Sequence, residues 1–551
     1  MVTLDLKYSR LKDLLGKDIS LKELEFQLFE MGMELEYEAD DLKVDITPDR
    51  IDMLSPQGLA RSLRAYLGIK KGLPNYRVKK SNLMVIVESS VFKVRPYTAC
   101  VLVKNLRFND DTIKEMIWIQ EKLHTTYGRN RKRAAIGIYP FEDIKSPIKY
   151  LAEDPAKIFF RPLESNLELN GYDILKKYKE YAYLLSGEKK YPIFKDANNQ
   201  ILSMPPIINS HKLGRVTEKT RDIFIECSGL ELKPLKELIN IFAVMFADMG
   251  GEIYSVEVKY DWGRLISPDL KPEKRNLRFK DIEGLLGVCP KNFKELLERM
   301  MYNVISFDKN KIVLEAPAFR VDLWHDVDII DDIARAYGFN NFEPRYPLVA
   351  TVGETERETG LSGDLRDILI GQGLSEVFTL ILTSKVNQFE WMNIKEFQHL
   401  SLKESTEKTI NMVRVWLIPD LLRALHNNRN REYPQDIFEI NYAIKYDEDS
   451  EVKSRDVLRL AVTLCHEKAN FTMIKQILDS LMDALDLSYV IKETKHSSFI
   501  EGRVGRVCVA NKEVAYIGEI HPQVLINFDL NYPVAALELN LTELLECSKS
   551  Q

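Results

Sequence analysis

Short strand-like runs recur along the whole chain, and no uninterrupted apolar stretch approaches the roughly 18 residues that a membrane-crossing helix needs. LMVIV (83–87), ACVLVKNL (99–106), AAIGIY (134–139), YAYLL (181–185), DIFIEC (222–227) and EIYSVEVKY (252–260) read as strands. Between them, DDTIKEMIWIQEKLHTTYG and LKPLKELINIFAVMFADMG carry helical periodicity. Many short elements of both kinds require sheets backed by helices. With 551 residues and no repeat, heptad run or low-complexity tract, the expectation is an α+β multidomain protein.

Changes of rhythm divide the chain into four segments. Residues 1–80 read as an N-terminal α/β unit: Ser20 and Glu23 have capping-box spacing, and Ser55-Pro56 places an N-cap before a helix that ends at Gly68. The basic stretch RVKKSN reads as a linker. Residues 81–261 form a mixed α/β unit, and residues 262–347 a small, helix-rich, acidic α/β unit. In residues 348–551 strands outnumber helices, and Ala510-Asn511-Lys512 suggests a hairpin. An antiparallel sheet with flanking helices is expected there.

Lys and Arg number 77 against 83 Asp and Glu, so any nucleic-acid contact must use a local patch. The six cysteines include no CxxC pair, which argues against a thiolate zinc site and for a reducing, cytoplasmic setting. There is no GxxxxGK[ST], HExxH or GxSxG motif.

Three clusters carry potential chemistry. In RVDLWHDVDIIDDIARAYG, Asp322, Asp326, Asp328, Asp331 and Asp332 crowd together, with the last three at helical i, i+3, i+4 spacing. Mg²⁺ would relieve their repulsion; alternatively they form a solvated face that favours the helix dipole. The turn GRNRKR, with Arg129, Arg131, Lys132 and Arg133 near His124 and Tyr127, suits either phosphate contact or a solvated loop. MPPIINSHKLGRVTEKTRD presents Asn209, Ser210 and His211 in a polar bend, which could line a pocket or be a proline-stiffened connection.

Three stretches together, VDITPDRIDMLSPQGLARSLRAYLG (44–68), FRVDLWHDVDIIDDIARAYGFNNFEP (319–344) and MVRVWLIPDLLRALHNNRNREYPQDIFEIN (412–441), resemble the beta subunit of phenylalanyl-tRNA synthetase in its archaeal and eukaryotic-like form. IGIYP and PPIINSHKLGRVTEKTRDIFIECSG resemble that form's editing domain. The resemblance implies a ligase that joins phenylalanine to tRNA-Phe at the expense of ATP, with the charging site on an alpha subunit in an alpha2beta2 heterotetramer. It implies that residues 348–551 are a class II synthetase-like core without catalysis: IFEIN lacks the arginine of an FRxE strand, and GRVGRVCV lacks a dense glycine cradle.

The resemblance also implies that residues 81–261 hydrolyse mischarged Tyr-tRNA-Phe, with His124, Arg129, Asn209, Ser210 and His211 as editing candidates. It implies Mg²⁺ at Asp322, Asp328, Asp331 and Asp332, although many members carry glutamate at the last two places. The competing reading is a non-enzymatic tRNA-binding or assembly protein.

Overall fold

A computed structural model describes residues 2–347, 349–405 and 407–548. The chain forms two compact units, residues 1–346 and 347–551, in a mixed α+β architecture. No helix among the described residues is long and apolar enough to cross a membrane.

The first unit contains three main sheets. Strand Asp41–Ile46 lies between Val2–Lys7 and Glu34–Glu38 in an antiparallel sheet, and Lys311–Ala316 lies between Glu273–Arg278 and Asn303–Phe307 in another. The main, ten-stranded sheet has an edge at Ile208–Asn209 and passes through Ile201–Met204, Tyr191–Lys195, Ile148–Glu153, Lys79–Val87, Glu252–Tyr260, Tyr97–Lys104 and Ile223–Gly229 to Ala134–Pro140, with Gly263–Ser267 paired to Glu252–Tyr260 off this path. Its pairings are antiparallel except where Lys79–Val87 runs parallel to both neighbours.

The expected N-caps form, the one at Ser20 without the reciprocal Glu23 bond of a capping box among the described residues. Ser20 Oγ accepts from the Glu23 amide at 3.2 Å, and Ser55 Oγ accepts from the Gly58 amide at 3.0 Å ahead of helix Pro56–Tyr66. Two expectations are corrected. The RVKKSN linker enters strand Lys79–Val87, because Lys79 pairs with Tyr254 in the sheet and its ammonium with Glu252. YAYLL is not a strand: Lys179–Ala182 is a short helix, with Tyr178 and Leu185 buried on either side and the Tyr181 ring under the Arg131 guanidinium at 3.9 Å.

One hydrophobic core runs through all three sequence segments of this unit. It contains Leu59 and Leu63 from the first, Phe242 and Phe246 from the second, and Tyr302 and Ile333 from the third. Polar ties reinforce it. Arg299 donates to the carbonyls of Tyr66 and Ala336, each at 2.8 Å, and Arg335 donates to Met31 O at 2.7 Å.

The second unit is a seven-stranded sheet ordered Ser375–Glu376, Gln435–Tyr446, Ser454–Cys465, Val534–Asn540, Lys512–Ile520, Phe499–Val509 and Val490–Glu493. All neighbours are antiparallel except the first pair. Helices Arg357–Gly371 and Phe471–Ala484 supply Leu365, Leu369 and Leu478 to one core, while Ile418–Asn427 supplies Leu421 and Leu425 to another. The hairpin at Ala510-Asn511 forms with φ of 46° and 65°, the left-handed pair that a two-residue type I′ turn needs. Residues 375–384, SEVFTLILTS, do not form one continuous strand: they pair as strands only at Ser375–Glu376 and Leu382–Thr383, leaving Phe378 81% and Leu380 67% exposed.

Candidate functional site

A cavity of about 850 Å³ opens in the first unit between helix Asp110–Thr125, strand Ile223–Gly229, the bend at residues 203–216 and the segment 161–181. Ile113, Met116 and Ile117 give one wall its apolar character, while Glu226 and Ser203 bring polar groups from the sheet. Among the described residues, Tyr178 Oη, Arg131 Nε and Glu226 Oε2 are buried without a hydrogen-bond partner, and all three residues line the cavity. Such orphaned groups are costly unless a ligand or water serves them.

Glu226 lies in the centre of an apolar strand and is 2% exposed. Burial pushes its carboxyl up to about 8, more than the neighbouring Arg95 guanidinium pulls it down. The Tyr139 hydroxyl is 2.7 Å from Ser203 Oγ and 3.2 Å from Glu226 Oε1. Gly137 makes this meeting possible: a Cβ there would come within 2.1 Å of Tyr139 Oη and 2.7 Å of Glu226 Oε1.

The editing candidates divide. Asn209 and His211 line the cavity, and neither side chain hydrogen-bonds to another described residue. Ser210 lies between them but is buried outside the lining, with its Oγ accepting from the Leu213 amide at 3.3 Å. His124 lines the cavity with both ring nitrogens engaged. Its Nδ1 is 3.1 Å from Glu121 Oε1, and its Nε2 accepts from the Ile136 amide at 2.8 Å. Burial lowers its pKa, so it is a neutral structural imidazole. Arg129 is exposed and outside the lining. Arg129, Asn130 and Arg131 have successive left-handed φ of 50°, 52° and 65°, a turn that brings Arg131 to the cavity in its place. Arg131 donates to Glu121 at 2.8 Å and to Ile207 O at 2.9 Å.

The four aspartates assigned to Mg²⁺ do not gather around a common point. Asp322 and Asp332 flank a guanidinium: Arg320 Nη2 donates to the first at 2.6 Å and to the second at 2.9 Å. Asp332 also accepts from the Tyr302 hydroxyl at 2.5 Å. Asp328 Oδ2 accepts from the amides of Trp324 and His325, each at 2.7 Å, and Asp331 accepts from Arg335 at 2.7 Å. Burial alone would raise Asp322, but Arg320 outweighs it and holds the carboxyl below its ordinary range. Among the described residues no three His, Cys, Asp or Glu side chains are placed to hold a metal. This donor set fits an arginine clamp, not Mg²⁺.

In the second unit, Glu439 of IFEIN is closed in. Arg414 Nη1 donates to its Oε1 at 3.0 Å, the Thr379 hydroxyl to its Oε2 at 2.6 Å and Asn441 Nδ2 to its Oε1 at 3.0 Å. The arginines of GRVGRV are also occupied, Arg503 by Glu519 and Arg506 by Glu513.

Nearby, Asp420 accepts from the Thr383 hydroxyl at 2.9 Å and Gln388 Nε2 at 3.2 Å, and burial pushes it up from an ordinary 3.8 to about 7. A raised folded value means that the folded state holds the extra proton. The stabilisation is therefore complete below about 4 and is lost as pH rises through about 7. Asp420→Asn should flatten the decline in melting temperature of this unit between pH 5 and 8, a range of about 3 units spanning most of the shift. An unchanged slope would exclude Asp420 as its origin.

The chain matches family models described as the tRNA synthetase B5 domain over residues 275–339 and the phenylalanyl tRNA synthetase beta chain CLM domain over residues 343–541. A phenylalanine–tRNA ligase beta subunit from Pyrococcus abyssi is 40% identical over 99% of this chain and 100% of its own length. The one from Methanococcus aeolicus is 35% identical over 98% and 100%. A crystal structure of an N-terminal fragment of the Pyrococcus horikoshii phenylalanyl-tRNA synthetase beta subunit aligns with a TM-score of 0.59 at 37% identity, covering 61% of this chain and 99% of the fragment. Identity at this level, end to end in both chains, is what common descent with a retained fold produces, and the chain belongs to the phenylalanine–tRNA ligase beta-subunit family.

Proposed function

We propose that, within such a ligase, this chain carries the hydrolytic editing site and an assembly surface, while an alpha subunit performs charging. The observation that carries the editing reading is the unpartnered Glu226 Oε2 in the large cavity. With Glu226 protonated near neutral pH, its Oε1–H is free to donate to the Tyr139 oxygen while Tyr139 donates to Ser203. Oε2 is then a carbonyl acceptor with no well-formed hydrogen bond from a described residue. The hydroxyl of a tyrosyl ester supplies one; a phenylalanyl ester leaves it empty, and this asymmetry favours removal of tyrosine.

The reaction is ester hydrolysis. Water adds to the carbonyl carbon, and the terminal tRNA hydroxyl leaves with a proton. Asn209 and His211 line the cavity with side chains that have no hydrogen bonds among the described residues, which supports a role in orienting that water and the carbonyl. No covalent enzyme intermediate is needed.

For charging, Glu439 is enclosed and Arg503 and Arg506 are ion-paired, which supports the reading that ATP and its Mg²⁺ are bound by the alpha subunit. The broken SEVFTLILTS segment, with Phe378, Leu380 and Leu382 exposed, suits burial against that partner in an alpha2beta2 assembly. The tRNA-Phe acceptor end is the natural occupant of the cavity.

The test is deacylation of Tyr-tRNA-Phe by the co-expressed complex. Asn209→Ala and His211→Ala together should slow it roughly 100-fold, at the low end of general acid–base and positioning effects, with phenylalanylation preserved. A complex that never deacylates Tyr-tRNA, yet binds tRNA, would instead support the purely assembling role.

A further inference from the structure

A second cavity of about 270 Å³ lies in the first unit and shares no lining residue with the editing cavity. Helix Pro56–Tyr66 forms one side with Gln57, Arg61 and Arg64, and the following loop brings Lys70, Lys71 and Asn75. Leu73, Pro74 and Met301 add an apolar wall.

Its charge is only partly balanced. Among the described residues Asp248 is the one carboxylate in the lining, and both its oxygens are taken, one by Arg61 Nη1 and one by the Tyr76 hydroxyl at 2.8 Å. Lys71 pairs with Glu295 at 2.9 Å. Arg64 and Lys70 have no ion pair among the described residues, and Arg64 Nε is buried without a partner. Arg61, with a side chain 7% exposed, likewise leaves Nε unpartnered.

An unpaired acceptor stands beside these donors. Gln57 is 2% exposed, and its Nε2 donates to Glu115 Oε2 at 2.8 Å, which fixes the amide orientation and leaves Oε1 buried without a donor. The cavity therefore lacks an anion on one side and a hydroxyl or amine on the other. Three cationic donors suit the several terminal oxygens of a phosphate, and arginine matches phosphate geometry closely. At about 270 Å³ the space is just below the 300–1,000 Å³ typical of drug-sized ligands.

We propose that this cavity is a ribose-phosphate site, in which Arg61, Arg64 and Lys70 hold the phosphate and Gln57 Oε1 accepts a neighbouring sugar hydroxyl. The same chemistry has two sources: a free sugar or nucleotide phosphate, or the backbone of an RNA strand. The site is separate from editing and does not depend on the editing assignment.

Calorimetric titration of the full chain with its alpha subunit, using ribose 5-phosphate and inorganic phosphate as probes, distinguishes them when paired with tRNA binding across a salt series. Arg64→Ala is the main variant, because that side chain is partly exposed and its loss breaks no ion pair or side-chain hydrogen bond among the described residues; Lys70→Ala is the second. Binding of ribose 5-phosphate that weakens at least tenfold in both variants supports the site with a free ester as ligand. No such binding, but weaker tRNA association with a salt slope reduced by about 1, supports the site with an RNA strand as ligand. If both variants match the wild type in both assays while their melting temperatures are unchanged, the proposal is overturned.

Discussion

Glu226→Leu lowers kcat/KM for Tyr-tRNA-Phe deacylation roughly 10- to 100-fold, the equivalent of about 1–3 kcal/mol for one buried hydroxyl left without its acceptor. The slow hydrolysis of Phe-tRNA changes little, so selectivity collapses. Glu226→Gln retains a carbonyl oxygen in the same strand position and keeps most of the activity. The pair of variants separates loss of the acceptor from loss of the titrating group. The pH behaviour follows from the raised carboxyl: its folded value of about 8 exceeds an ordinary 4.5, so the folded state binds more protons across that window. Stability from this group is complete below the lower value and lost as pH rises through about 8. Melting temperatures of the wild type should therefore fall between about pH 5 and 8 more steeply than those of Glu226→Gln, and level off above about 8. Wild-type editing by Glu226→Leu would place the tyrosine acceptor elsewhere.

Arg414→Met produces the largest loss of stability in the second unit. Arg414 is 0% exposed and Glu439 1%, so removing the guanidinium strands a buried carboxylate, at a cost of about 3–5 kcal/mol. For a unit of this size that lowers the melting temperature by roughly 10 °C or more. Arg414 also donates to Tyr442 O at 2.8 Å and the Thr379 hydroxyl at 2.8 Å, and part of the loss comes from those bonds. The double variant Arg414→Met/Glu439→Leu removes both charges and should regain much of the stability. A double-mutant cycle measures this directly, and strict additivity would show that the two side chains are not coupled.

Local signals were legible in the sequence where one residue type has one physical use. Ser55-Pro56 and Ala510-Asn511 announced a helix start and a hairpin, and both form. Asn209 and His211 stood out as polar groups in a turn-rich bend, and they line the cavity. Glu226 was missed because its neighbours in IFIECSG draw the eye to burial; a lone carboxylate inside an apolar strand was the available signal. In the basic turn, residue type could not say which arginine turns inward, since three successive left-handed residues decide it. The aspartate crowding was real, but the counterion is Arg320, two residues before Asp322, and only folding brings Asp332 to its other side. YAYLL and RVKKSN failed for a related reason: long-range partners, Arg131 in one case and strand Glu252–Tyr260 in the other, overrode the local rhythm.

The common core of residues 1–346 limits how such a protein can be recombined. Helix Leu232–Asp248 contributes Phe242 and Phe246 to the same packed mass as Leu63 and Ile333, so a graft cut near residues 80 and 261 would pair foreign apolar surfaces along two seams. Chimeras between relatives should tolerate one exchange point, close to residue 347, far better than any inside the first unit. Inheritance of the large cavity is thereby tied to inheritance of the sheets on either side of it, and whatever the cavity recognises cannot be borrowed without the scaffold that shapes it.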